Sequence, residues 1–253
     1  MKKILLIKLL FFLFLSTDIL YAGKMLHVEL DKLTVVAEEK YPPITFENTN
    51  GKADGLAVEV TKAIMKNLGM KQKIFLRPWA RAYNMLQIKP NYMLFSVSRT
   101  KQREKLFQWV GPIYFMKSSF YVKKDSNIKI TSLEDAKKIK SIGTYFDCFD
   151  EQFLREKGFK NLDSTKNNVL NIKKMMRGRI DAITATNVTI KDMLKQAHYD
   201  YKDIKSIYTF MNVGVYYAFS KDVPFEVVDA WQKELDKLKS NGELQKIRDK
   251  WLK

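Results

Sequence analysis

Residues 77–114 read RPWARAYNMLQIKPNYMLFSVSRTKQREKLFQWVGPIY. Pro78 opens a helix at its first position, where its missing N–H costs nothing, and that helix carries Trp79 and Arg81. Met93 to Val97 is a short apolar strand running into a serine-rich turn, and Thr100 and Arg103 stand at the head of the next segment. Hydroxyls, backbone N–H groups and a guanidinium are thereby gathered at one strand end. Such a place suits a small anion, most often a carboxylate.

Outward from this stretch, strand and helix alternate. Leu33 to Ala37 (LTVVA) reads as a buried strand, followed by the turn Glu38-Glu39-Lys40-Tyr41-Pro42-Pro43 and a turn tip at residues 48–51. Val58, Val60, Ile64 and Leu68 recur at helical spacing up to Gly69, and Lys73 to Leu76 forms a second strand. This is the pattern of an α/β sheet with right-handed crossovers. Residues 120–125 leave the unit as a strand, and a second α/β unit follows. Its helix is capped at Ser132, and a short strand ends in Ile142-Gly143-Thr144. Helices over 150–157 and 169–177 come next, then a buried strand over 180–185. A returning strand over 213–219 precedes the final helices, which break at Asn241-Gly242. Two lobes are expected.

The first 22 residues read as an export signal: Lys2 and Lys3, an apolar run from Ile4 to Leu15 broken by Lys8, and Ala22 at the expected cut. That run is too short for a membrane span, which needs about 20 residues. An uncleaved N-terminal anchor is the alternative. Of 253 residues, 45 are Lys or Arg and 28 Asp or Glu, a net charge of +17. Lys2, Lys3, Lys8 and Asp18 leave with the signal, so +17 becomes +15. The lysines are spread without a block flanked by aromatics, which argues against nucleic acid as partner. Cys148 is the single cysteine and only His27 and His198 are present, so no disulfide, thiolate metal site or Ser-His-Asp triad is expected. No cofactor is implied. Cys148 reads as a packing residue.

Several elements, in order, resemble the bacterial extracellular solute-binding proteins of family 3, the periplasmic receptors of polar amino-acid ABC transporters. These are the strand leading to Tyr41-Pro42-Pro43, Gly51-x-x-x-Gly55 before a helix with Glu59, and Ser98 to Arg103 with Phe107, Trp109, Pro112 and Tyr114. Gly178-Arg-Ile-Asp-Ala182 and the closing Asn241, Gly242, Leu244, Ile247 and Trp251 complete the set. The resemblance implies a two-lobed class II periplasmic binding protein, a Venus-flytrap fold with two hinge crossings. Lobe one would take 30–118 and 220–253, and lobe two 119–219 with the hinge strands.

The resemblance also implies a site. Arg103 would grip a carboxylate, helped by Ser98 and, at a lobe-two helix start, by Thr144. Tyr41 and Trp79 would pack the solute's apolar part. Where the family holds an α-ammonium with an Asp, this chain has Thr186, followed by Asn187. With Arg81 and Arg99 nearby, an anionic cleft ligand is expected, unless Glu39 restores a charge. The implied function is a monomeric periplasmic receptor handing a small anionic or zwitterionic solute to an inner-membrane ABC permease. A fold-related enzyme, such as a cyclohexadienyl dehydratase, and a receptor for an envelope sensor remain open.

Overall fold

The computed structural model describes residue 23 and residues 25–252. The expected export signal, residues 1–22, lies outside the described residues. A helix over 25–32 (α1) leads into β1 (Thr34–Glu38), which lies parallel between β5 (Ile74–Arg77) and β6 (Tyr92–Ser98). Four of the five β1 residues are buried, as a parallel strand covered on both faces requires. The crossovers are α2 (Leu56–Asn67) and α3 (Trp79–Ile88). Gly55 begins α2 at φ 118°, and a Cβ there would lie 2.7 Å from the Ile44 carbonyl carbon, so only glycine fits.

Two strands of 16 residues, β7 (Gln108–Lys123) and β11 (Ile204–Phe219), run antiparallel through the whole molecule. At one end β11 pairs with β6, and at the other β7 pairs with β10 (Ala182–Thr186). β10 continues the sheet into β8 (Ile142–Tyr145) and β9 (Leu162–Thr165), which completes eight strands in the order β5-β1-β6-β11-β7-β10-β8-β9. Around the second half pack α4 (Leu133–Lys138), α5 (Phe149–Glu156), α6 (Asn168–Met176) and α7 (Ile190–Ala197).

Each half has its own core. The first buries Phe95, Tyr217 and Phe219 against α8 (Phe225–Ser240), whose Trp231 ring lies 5.2 Å from Tyr217, and α9 (Glu243–Trp251) closes it. The second gathers Ile172, Met175, Ile183 and Leu194. This is the expected two-lobed α/β fold with two crossing strands. Both strands are longer than the sequence reading allowed, because each finds its partner along its entire length. The elements that went unseen include α1, β9, α7 and a small antiparallel sheet of β2 (Lys40–Tyr41), β3 (Thr45–Glu47) and β4 (Ala53–Asp54). Strands of two or three residues are too short to show an alternation.

Candidate functional site

The C-terminal ends of β1 and β6 face β10 and the start of α5 across a cleft. Between them lies a partly open cavity of about 40 Å³. Glu38, Tyr41, Trp79, Ser96 and Ser98 line it from the first lobe; Tyr145, Cys148, Asp150, Thr184 and Thr186 line it from the second. An outer pocket of about 300 Å³ shares Tyr41, Tyr145 and Thr189 with it and adds Lys40 and Lys166.

Ser96 owes its place to a bulge. The pairing of β6 with β11 steps from Phe95–Tyr217 to Val97–Tyr216, skipping Ser96, which sits at φ 64°. A bulge re-aims one side chain. Ser96 accordingly joins Ser98 in the cavity wall, and its hydroxyl has no protein partner.

Four of the six residues expected from sequence meet here: Tyr41, Trp79, Ser98 and Thr186. The Tyr41 hydroxyl lies 3.8 Å from Met116 Sδ, and Thr186 Oγ1 is 2.9 Å from Thr189 Oγ1. Arg103 is close by but turned away. It is 1% exposed, with its guanidinium 5.2 Å from the Trp79 ring and 4.6 Å from Tyr83. Its Nε and Nη2 donate to Gln152 Oε1 at 3.1 and 3.0 Å, and Nη1 donates to the Ser98 carbonyl at 3.4 Å. Burial holds its pKa below the usual guanidinium value. Gln152 belongs to α5, so Arg103 ties the lobes together. Trp79 does the same, donating from Nε1 to the Asp147 carbonyl at 2.9 Å.

Thr144 does not stand at a helix start. It lies within β8, fully buried, outside the cavity wall. Its hydroxyl donates to Glu151 Oε1 at 3.3 Å and its carbonyl accepts from Asn171 Nδ2 at 2.9 Å. The helix start that meets the cleft is Phe149, four residues beyond β8, reached through Asp147 at φ 58°. Thr144→Ala is therefore expected to lower stability by about 1 kcal/mol, one neutral hydrogen bond, in urea unfolding, leaving solute binding unchanged. Lost binding at unchanged stability would return Thr144 to the cleft.

The expectation of a cationic cleft is corrected. Arg99 pairs with Glu104 at 2.6 Å and Arg81 is exposed on α3; neither lines the cavity. Among the described residues, no Lys, Arg or His lines it. Two carboxyls do. Glu38 ends β1 at 6% exposure, and Asp150 sits in the first turn of α5 at 4%. Burial pushes the Glu38 carboxyl up to about 7, with the Tyr145 hydroxyl pulling the other way and Glu39 adding to the rise. Burial raises Asp150 too. Cys148 donates its thiol to Asp150 Oδ1, and burial followed by the Asp150 charge lifts its pKa well above the free value. Sequence reasoning considered Glu39 as the rescuing acid; the residue in the wall is its neighbour.

Residues 33–253 match the model of the bacterial extracellular solute-binding proteins, family 3. The chain belongs to this family. Its relatives include the arginine-binding periplasmic protein of Mannheimia haemolytica, 24% identical over 86% of this chain and 90% of that protein. Another is the L-cystine-binding protein TcyJ of Escherichia coli strain K12, 23% identical over 88% of this chain and 83% of that protein. Among solved structures, a histidine kinase sensor domain with similarity to periplasmic binding proteins superposes with a TM-score of 0.79. That match is 22% identical and covers 87% of this chain and 96% of the other, a likeness of fold. Members of the family are bacterial extracellular solute-binding proteins, and among the described residues no helix is long and apolar enough to cross a membrane.

Proposed function

We propose that this chain is a periplasmic receptor for a small amino-acid-type solute, which it delivers to an inner-membrane ABC permease as a monomer. The observation that carries this reading is the cavity itself: it lies between two separately cored lobes, walled by Tyr41, Trp79 and Ser98 on one side and Thr186 on the other. A ligand touching both walls stabilises the closed form and is committed by closure. The lobes run over 30–118 with 220–253 and over 119–219. The inner cavity takes the charged head of the solute, and the outer pocket with Lys40 and Lys166 takes its remainder and carboxylate. The named ligands of the relatives, arginine and cystine, are both amino acids, which supports this class.

The test is to identify the molecule that co-purifies with the exported protein by mass spectrometry, then add it back after denaturation and refolding. Small-angle scattering is expected to show a smaller radius of gyration at saturation. A tight ligand that leaves the scattering unchanged removes the clamp reading.

A further inference from the structure

Three buried oxygens in the cavity wall make no well-formed hydrogen bond to the protein: Glu38 Oε1, Ser96 Oγ and Thr184 Oγ1. Asp150, facing the same space, is met by the Cys148 thiol and the Glu151 N–H at 2.9 Å, with the Thr184 hydroxyl beside it. Every titratable side chain lining the cavity is an acid: Glu38, Asp150, Tyr41, Tyr145 and Cys148. Glu39 adds negative charge beside Glu38, and Arg103, the nearby guanidinium, is committed to Gln152. Carboxyls buried without counter-charge are costly, and so are unpartnered buried acceptors. An ammonium answers both needs, since it brings one positive charge and three donors.

We propose that Glu38 and Asp150, one from each lobe, form a clamp for an ammonium group of the ligand. In it Asp150 on α5 supplies the charge that Thr186 on β10 does not. The inference rests on the receptor reading and names its substrate class: amine-bearing solutes, not organic acids. About 40 Å³ holds roughly three waters, so the clamped group is an unsubstituted ammonium on a short stem, with the rest of the molecule in the outer pocket. Two carboxyls against one ammonium leave one charge over. A monoamine therefore binds with one proton retained on the pair.

Calorimetry on the exported protein with L-alanine, 1,3-diaminopropane and propionate tests this. At least one amine is expected to bind and propionate is not. Asp150→Asn, nearly isosteric, is expected to weaken the amine about thirtyfold or more, the effect of removing one partner of a buried charge pair. Thr186→Asp in that background is expected to restore binding, because it returns a carboxyl to the same wall; Glu38→Gln checks the opposite lobe independently. Propionate binding with closure while neither amine binds overturns the clamp and leaves the receptor reading standing. Failure of both amines at millimolar concentration overturns it as well. So does an Asp150→Asn protein that folds and binds amine unimpaired.

Discussion

Arg103→Ala is expected to lower the stability of the ligand-free protein by about 2–4 kcal/mol. The side chain is caged between two aromatic rings, and a desolvated cation over a ring contributes about 2 kcal/mol. Its hydrogen bonds add about 1.5–3 kcal/mol as bonds to a charged group, offset in part by relief of a buried charge that has no carboxylate partner. Alanine also strands Gln152 Oε1, whose amide Nε2 stays tied to the Asp147 carbonyl and carboxylate. Arg103→Met, which keeps the bulk and drops the charge, is expected to recover about half the loss. Urea unfolding decides, and an alanine variant that unfolds at the wild-type midpoint shows the cage contributes nothing. Scattering on the same variant should show a larger radius of gyration, because the latch between lobes is gone.

Glu38→Gln is expected to stabilise the ligand-free protein by about 3 kcal/mol at about pH 8 and to leave it unchanged at about pH 4. The carboxyl titrates near 4.5 when unfolded and near 7 when buried in the folded chain. Between those values the folded state holds a proton that the unfolded state has lost, so stability is full below 4.5 and falls as pH rises through 7. A separation of about two and a half units corresponds to about 3 kcal/mol. Asp150, raised by the same burial, adds a change of the same sign. Parallel stability–pH curves for wild type and variant would mean that Glu38 is not held neutral. The variant that stabilises the empty protein is thus the one expected to weaken its grip on an amine.

The fold and four residues of the candidate cavity wall were legible because their signals are local. Trp79, Ser98 and Arg103 fall within one run of 25 residues in which proline, serine and arginine each mark a position. Tyr41 before two prolines and Thr186 at a strand end were placed by the same kind of spacing. The acidity of the cleft was not legible, since it depends on which way β1 presents its last residue. With Glu38 and Glu39 adjacent, a strand period of two puts one in the wall and the other outside, and only the register of the whole sheet chooses. Asp150 was hidden by a misleading pair. Gly143-Thr144 looks like a turn into a helix, yet it continues β8, and the real turn uses a non-glycine residue, Asp147, at positive φ. Arg103 was found but not its orientation, because Gln152 lies 49 positions away.

The two long strands bear on how fast a solute can leave. Both connections between lobes belong to one antiparallel ribbon, and β11 changes register against β7 at three places, between Ser206 and Tyr208, Thr209 and Met211, and Val215 and Tyr217. A ribbon resists bending in its own plane but winds easily where an extra residue breaks its ladder. Opening of the cleft is therefore expected as a swivel of one half against the other about these irregular points, which small-angle scattering with and without solute would detect. On that expectation the time a solute stays bound depends on the torsional stiffness of a few irregular peptides as well as on the side chains that touch it.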